Sequence, residues 1–119
     1  MAGQTYLMHT PEHDVGHMVE SIIGCKWSLS VIRLLRDGIN RPGAMQREVE
    51  GLTTKVLNER LQKLLRFGIV EKIVYPESPP RVEYLFTDFG LRFLQIVEAV
   101  ERVQGELDGA TEHRGHEPD

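Results

Sequence analysis

The pattern of apolar and polar positions along this chain predicts five helices and two short strands. A first helix is expected over about 12–23, with Pro11 placed in its first turn. A second is expected over Lys26–Arg36, because apolar residues recur there at intervals of three and four positions. A short third helix should begin near Pro42 and end before Gly51.

The fourth helix is the most sharply defined. Thr53 is a suitable N-cap, and the pair Phe67-Gly68 ends the helix. Its apolar positions form a single stripe, made of Leu57, Leu61, Leu64 and Leu65. Since residues 50–52 alone separate it from the third helix, the two together predict a helix-turn-helix unit.

Two alternating β-type runs follow, over about 69–75 and 81–86, joined by a loop that contains three prolines. Proline fixes φ and forces the preceding residue toward extended geometry, so the loop should project as a stiff hairpin. Tyr75 and Tyr84 bracket the loop and are expected to be aromatic partners across the strands. Arg81 at the loop exit gives the hairpin a cation suited to a phosphate backbone.

A long fifth helix is expected from Thr87-Asp88 to about Leu107, followed by a disordered polar tail over 109–119. Its apolar positions recur at intervals of four and three, which is a heptad seam. Packing on the domain's own core explains the first two turns but not Val100 and Val103, which extend past a compact body. Helices one and five therefore predict dimerisation through Val15, Met18, Val19, Ile22, Phe93, Ile96, Val100, Val103 and Leu107.

The composition is that of a single soluble domain, here residues 1–108 of a 119-residue chain with 40% hydrophobic and 27% charged residues. The sequence contains no apolar run of membrane-spanning length and no signal-peptide pattern, so we expect no association with a membrane. One cysteine excludes an internal disulfide framework and fits a reducing cytoplasm. We therefore expect a cytoplasmic protein, associated with the nucleoid if it binds DNA.

The charge is unevenly distributed. The chain carries a net charge of −4, but residues 26–83 hold eleven Lys/Arg against seven Asp/Glu, a net charge of +4. The flanking segments together carry −8. This asymmetry favours a binding face for an anionic partner on the middle segment.

The outer face of the fourth helix supplies the candidates for contact with base edges in a major groove, namely Thr54, Lys55, Asn58 and Gln62. The alternative is a solvated polar face, which any amphipathic helix has. Three arginines are better suited to phosphates: Arg41 before the third helix, Arg81 at the hairpin, and Arg60. Because Arg60 lies near the leucine side, a structural bond to another helix explains it equally well.

Few residues suggest other chemistry. The sequence contains no phosphate loop, no nucleophile with an identifiable base and no cofactor motif, so we expect neither an enzyme nor a bound cofactor. His13 and His17 have metal-compatible spacing but no carboxylate or thiol partner, and we predict no metal site. Cys25 stands just before the second helix, where helix amides lower a thiol pKa, so it is either a redox residue or a small buried side chain.

Several segments resemble the HxlR family of bacterial transcriptional regulators, which are MarR-like winged helix-turn-helix proteins. Gly24-Cys25-Lys26-Trp27 is similar to the family's Ile-Gly-Gly-Lys-Trp motif, and the resemblance covers nearly all of 12–105. The other matching strings are Gly51-Leu52-Thr53, Leu57 with Arg60-Leu61, Gly68-Ile69-Val70, Tyr75-Pro76, Pro79-Pro80-Arg81-Val82-Glu83-Tyr84, and Thr87 with Gly90. The resemblance implies a mainly α fold with a β-hairpin wing and N- and C-terminal dimerisation helices.

In function, the resemblance implies a homodimer that binds double-stranded DNA at an inverted repeat, with residues 53–67 as recognition helix and 69–86 as wing. Some family members sense oxidants through a cysteine near the start of the first helix. This chain has His13-Asp14-Val15 there, while Cys25 occupies a position that is usually glycine. Two alternatives remain: a stress-, ligand- or thiol-responsive switch of the same fold with an unidentified small-molecule effector, and a winged-helix protein-interaction module.

Overall fold

The computed structural model describes residues 3–6 and 14–115, with side chains as far as Gly109. Five helices and three strands occur in that part of the chain. In order they are β1 Gln4–Tyr6, α1 Val15–Ile23, α2 Lys26–Arg36, α3 Pro42–Glu48, α4 Thr54–Arg66, β2 Val70–Tyr75, β3 Arg81–Phe86 and α5 Asp88–Gly115.

The start of α1 differs from the sequence prediction. Asp14 is its N-cap, and its carboxylate accepts a hydrogen bond from the backbone N–H of His17 at 3.1 Å. A carboxylate in this position satisfies an amide that the helix itself leaves unpaired. The helix thus begins at Val15 rather than at residue 12, and Pro11 lies outside the described residues.

The helix-turn-helix unit predicted from residues 42–67 is confirmed. Gly51 turns the chain between α3 and α4 with a φ of +86°, a conformation that side-chain-bearing residues rarely adopt. The Thr53 hydroxyl then accepts a hydrogen bond from the N–H of Val56 and caps α4, which ends at Phe67. The Gly51 turn and the Thr53 cap together determine where α4 begins and how it follows α3.

Strands β2 and β3 form an antiparallel hairpin in which Tyr75 pairs with Arg81. The predicted pairing of Tyr75 with Tyr84 is wrong, because Tyr84 lies opposite Lys72. Tyr84 is three residues beyond Arg81, and since side chains alternate along a strand it points to the other face, where it is buried. Strand β1, which was not predicted, pairs with the outer edge of β2.

The start of α5 is fastened to the hairpin. Thr87 donates a hydrogen bond from its hydroxyl to the carbonyl oxygen of Gly68 at 2.5 Å and accepts one from the N–H of Gly90 at 2.9 Å. A Cβ on Gly90 would lie 1.9 Å from the carbonyl oxygen of Ile69, so the close approach of helix and strand requires glycine there. The helix runs on to Gly115 rather than ending near Leu107, which departs from the disordered tail predicted from 109 onward.

The core contains apolar side chains from α1, α2, α3, α4, β2, β3 and α5. Met18, Ile22 and Phe93, three of the residues predicted to form a dimer interface, are at most 2% exposed within it. Heptad spacing identifies an apolar stripe, but a stripe is needed for core packing as much as for an interface. For these three residues the interface prediction is therefore corrected to packing within the protomer.

Beyond the core, α5 is braced by α2. Glu101 accepts hydrogen bonds from Arg33 Nε at 2.5 Å and from Arg36 Nη1 at 2.6 Å. Two guanidinium groups on one carboxylate make short charge-assisted bonds. They hold α5 in place at the point where its apolar side chains begin to be exposed. Among the described helices, none is long and apolar enough to cross a membrane.

Candidate nucleic-acid interface

One face of α4 is polar and exposed. Thr54, Lys55, Asn58 and Gln62, the four residues predicted to contact bases, are all exposed, while Leu57 and Leu61 on the same helix are buried. The two faces differ in exposure because α4 buries its leucine stripe against the core, which leaves the opposite side chains in solvent. The structure therefore places the four side chains together on one accessible surface.

Thr54 is connected to α3. The Nε2 group of Gln46 donates a hydrogen bond to the Thr54 hydroxyl oxygen at 2.9 Å and makes a longer one to the carbonyl oxygen of Leu52 at 3.5 Å. Gln46 was not identified from the sequence. Its position on α3 carries no local signal, because its partners lie across the turn.

A basic cleft lies between α3 and the loop end of the hairpin, where β3 begins. Its volume is about 420 Å³, and it is lined by Arg41, Pro42, Gly43, Ala44, Arg47, Pro80, Arg81 and Val82. Arg41 and Arg47 are exposed, and the cleft lining contains no acidic side chain. Arg47 was missed in the sequence analysis, although its placement in the last turn of α3 could have suggested it.

Arg81 is more constrained than the sequence suggested. Its guanidinium carbon lies 4.0 Å from the centroid of the Tyr75 ring. Glu77 and Glu83 lie within ion-pair distance, at 3.3 Å from Nη1 and 3.6 Å from Nε. Stacking and ion pairing orient this side chain and partly neutralise its charge, so Arg81 is a positioned cation rather than a free one.

Arg60 lies away from the exposed face of α4. Its side chain is 26% exposed, with Nη1 3.7 Å from a carboxylate oxygen of Glu59. Its Nε is buried and has no hydrogen-bond partner among the described residues. The bond to another helix that the sequence left open is not seen among the described residues, and the side chain pairs instead with Glu59 on α4 itself.

The cations of α4 also act on Cys25, the N-cap of α2. Burial raises the pKa of its thiol. Contacts of the thiolate with the hydroxyl and backbone N–H of Ser28, and the charges of Lys63 and Arg60, outweigh burial and lower the pKa to about 7. The Ser28 hydroxyl is fully buried and otherwise unpaired among the described residues, so its proton is available to a thiolate.

An apolar surface continues along α5 beyond the core. Val100, Val103 and Leu107 are 40%, 57% and 60% exposed, and with Ala99 and Gln104 they line a shallow hollow. Val15 on α1 is 36% exposed, while Val19 and Ile96 are partly buried against the core. Six of the nine predicted dimerisation residues thus retain surface for a partner.

Among the histidines, the structure describes the surroundings of His17. His17 packs edge-on against Phe67, with ring centroids 5.9 Å apart, and His13 lies outside the described residues. No group of three or more metal-binding side chains occurs in the part of the chain that the structure describes.

A capped helix-turn-helix, a two-stranded hairpin beside it and an exposed polar face on the second helix of the unit define a winged helix-turn-helix protein. A family model described as HxlR-like helix-turn-helix matches residues 22–108. The chain belongs to that family, and it is a transcriptional regulator of the HxlR/MarR type.

Known proteins agree with this assignment. An uncharacterised HTH-type transcriptional regulator of Synechocystis sp. is 36% identical over 98 residues, which span 78% of this chain and 73% of that one. A MarR-family transcriptional regulator from Enterococcus faecalis has a similar solved structure, with a TM-score of 0.71, 30% identity, and coverage of 90% of this chain and 96% of the other. The reduced form of the regulator YodB from B. subtilis is also similar, with a TM-score of 0.64, 28% identity, and coverage of 80% and 90%.

Proposed function

We propose that this protein acts as a homodimer that binds double-stranded DNA sequence-specifically at an inverted-repeat operator. The observation that carries the proposal is the exposed face of α4, on which Thr54, Lys55, Asn58 and Gln62 lie together with the leucine stripe turned inward. The proposal assigns the chain a binding role rather than catalysis, and a DNA-bound protein would be found at the nucleoid.

In this proposal α4 enters the major groove. Asn58 and Gln62 have amide groups that can make paired hydrogen bonds to adenine, and Lys55 can donate to the acceptors of guanine. All three lie in the first three turns of α4, the part of a recognition helix that approaches base edges. A protein-interaction module would not require this set of side chains.

The basic cleft would hold the DNA backbone beside the groove. Arg41 and Arg47 supply exposed positive charge, and Arg81 adds a guanidinium fixed by Tyr75 next to the loop of the wing. Phosphate contacts fix the register of a protein on DNA without selecting sequence. Arg60 is not assigned a phosphate contact, because its side chain is only 26% exposed and pairs with Glu59.

The dimer would form through the exposed end of α5. Val100, Val103 and Leu107 continue a heptad spacing and leave a row of apolar surface exposed in the single chain. Val19 and Ile96 are partly buried against the core, and Val15 on α1 is 36% exposed, so these residues also keep surface for a partner. An isologous two-fold contact at this surface would present two copies of α4 to two half-sites.

Selection from a library of randomised duplexes tests the proposal. The wild-type protein should enrich one sequence with two-fold symmetry, and Asn58→Ala should lose or change that preference. Gln95→Ala, at an exposed position of α5, is the matched control and should select the wild-type sequence. Enrichment of no sequence by the wild type would overturn sequence-specific binding.

A second function is favoured by the environment of Cys25, namely control of DNA binding by modification of its thiol. A pKa of about 7 leaves roughly half of the thiol ionised at neutral pH. Lys63 and Arg60, which lower that pKa, belong to α4, so a change at the sulfur acts directly on the helix proposed to contact DNA. YodB, among the similar structures, is described in a reduced form.

Alkylation by iodoacetamide tests this second function. The thiolate attacks the methylene carbon, a carbon–sulfur bond forms, and iodide leaves. Modified wild-type protein should bind the selected duplex less tightly than untreated protein, whereas Cys25→Ser should bind equally well with and without the reagent. Unchanged binding by fully alkylated wild-type protein would rule out a thiol switch at this position.

A further inference from the structure

The contact between Gln46 and Thr54 fixes the orientation of an amide at the edge of the DNA-facing surface. The carbonyl oxygen of Leu52 can only accept a hydrogen bond, so the NH2 end of the Gln46 side chain must face it. The same nitrogen lies 2.9 Å from the Thr54 hydroxyl oxygen. The hydroxyl therefore accepts from Gln46, and the opposite orientation would place two oxygens together at Leu52.

The hydroxyl proton of Thr54 is left without a protein acceptor. In the interior of a helix a threonine hydroxyl donates to the carbonyl three or four residues earlier. Thr54 is the first residue of α4, so the residues at those distances precede the helix. Within residues 3–6 and 14–109, no oxygen accepts a hydrogen bond from this hydroxyl, and the side chain is exposed.

We propose that Gln46 is a positioning residue that makes Thr54 a hydrogen-bond donor toward DNA. One lone pair of the hydroxyl is occupied by Gln46, so the proton is directed away from that amide, and Thr54 is exposed on the surface proposed to meet the duplex. An O–H group that loses water without gaining an acceptor is destabilising, so the DNA must supply an acceptor at that place. This inference rests on the proposed binding of DNA by α4.

The acceptor requirement selects among the atoms that DNA presents. In the major groove the acceptors are purine N7, guanine O6 and thymine O4, while the amino groups of adenine and cytosine are donors. A phosphate oxygen is an acceptor as well. Gln46, which need not touch DNA itself, would therefore favour an acceptor over an amino group at the position opposite Thr54, since one of the two lone pairs of the hydroxyl is already occupied.

The experiment measures the affinity of variants for the duplex selected by the wild-type protein. One duplex series carries base analogues that lack N7, O6 or O4, and another carries methylphosphonates, so a base acceptor and a phosphate acceptor are distinguished. Removal of the acceptor should weaken wild-type binding roughly fivefold at one position, as expected for one hydrogen bond. Removal of that acceptor should not weaken binding by Thr54→Val, which has no hydroxyl. It should weaken binding by Thr54→Ser as much as it weakens binding by the wild type.

Substitutions of Gln46 test the orientation itself. In Gln46→Glu the carboxylate accepts the hydroxyl proton, so the penalty for removing the DNA acceptor should disappear although Thr54 is intact. In Gln46→Ala the hydroxyl can rotate, and the penalty should shrink. The negative charge of the glutamate should lower the affinity for every duplex in the series by the same factor. It therefore cannot by itself remove the effect of one modified base or phosphate.

The outcomes separate this inference from the function on which it rests. A penalty that persists unchanged in Gln46→Glu but vanishes in Thr54→Val would overturn the role of Gln46. If no acceptor atom in the selected duplex could be found whose removal weakens binding through Thr54, the role of Gln46 would also be overturned. The proposed function would stand in that case. Failure of the wild type to select any duplex would overturn the proposed function and this inference together.

Discussion

The ammonium group of Lys63 donates a hydrogen bond to the carbonyl oxygen of Ser21 at 3.0 Å. Ser21 lies in the last turn of α1, where helix carbonyls have no intrahelical donor, so a cation from α4 stabilises the end of α1. The same charge lowers the pKa of Cys25. One lysine thus connects the first helix, the thiol and the helix proposed to contact DNA.

Replacing Lys63 by methionine should weaken its contacts with both α1 and the thiol. The pKa of Cys25 should rise from about 7 toward its ordinary value, because a neighbouring positive charge is removed. Alkylation by iodoacetamide at neutral pH should slow accordingly, and its pH profile should move to higher pH. We expect a loss of about 1 kcal/mol in the free energy of unfolding, from the hydrogen bond to Ser21.

The control for that experiment is Lys55→Met, at an exposed position on the same helix that does not contribute to the Cys25 pKa shift. It should leave the alkylation profile in place. If Lys63→Met and the wild type had the same dependence of alkylation rate on pH, Lys63 would not lower the pKa of the Cys25 thiol.

The brace between α5 and α2 should make stability depend on pH. Burial raises the pKa of Glu101, but the hydrogen bonds and charges of Arg33 and Arg36 outweigh it, so the folded-state pKa is lowered. The contribution of the brace is therefore present above the unfolded-state pKa and is lost as pH falls through the folded value. Glu101→Gln should cost about 1 kcal/mol at neutral pH, because the pair is partly exposed.

Urea unfolding at a series of pH values measures this difference. The gap between wild type and Glu101→Gln should close in acid, below the ordinary pKa of a glutamate. Glu106→Gln, an exposed position on the same helix, should track the wild type throughout. If the difference in the free energy of unfolding between the wild type and Glu101→Gln stayed constant into acid, the charge of the carboxylate would not stabilise the packing of α5 on α2.

The basic cleft predicts a specific change in salt dependence. Each phosphate contact that is lost should reduce the slope of log affinity against log salt concentration by about one. Arg47→Gln should therefore lower the slope by that amount and weaken binding to all duplexes alike. Arg92→Gln, at an exposed arginine of α5 outside the cleft, should keep the wild-type slope. An unchanged slope in Arg47→Gln would remove this residue from the backbone contact.

Much of this architecture follows from local sequence signals. The bounds of α2, the Thr53 cap and the bounds of β3 are as predicted, because each depends on residues within a few positions of one another. The exposed face of α4 follows from the leucine stripe for the same reason. Local rules therefore identify both the wing and the helix proposed to contact DNA.

The features that depend on distant residues were missed. Strand β1 has three exposed residues, and its partner β2 lies more than sixty positions away. The bond from Gln46 to Thr54 crosses a turn, and the burial of Phe93 depends on how α5 docks. No periodicity encodes such contacts, because they arise from packing rather than from the propensity of one segment.

The exposed apolar end of α5 predicts a dimer that a single charge can disrupt. Val103→Glu should raise the dimer dissociation constant more than tenfold, since each copy loses the burial of a valine that is 57% exposed in the single chain. Sedimentation equilibrium measures the constant. Gln95→Glu adds the same charge outside the apolar stripe and should leave association unchanged. Equal dissociation constants for Val103→Glu and the wild type would exclude this surface as the interface.

The central claim is that two copies of α4 occupy the major groove of one duplex. Dimethyl sulfate methylates guanine N7, which lies in that groove, so protection of guanines from the reagent maps where a helix enters. On the selected duplex the wild-type protein should protect two symmetric clusters of N7 positions about one helical turn apart, and Asn58→Ala should lose protection within both. Unprotected N7 positions throughout a tightly bound duplex would contradict the claim.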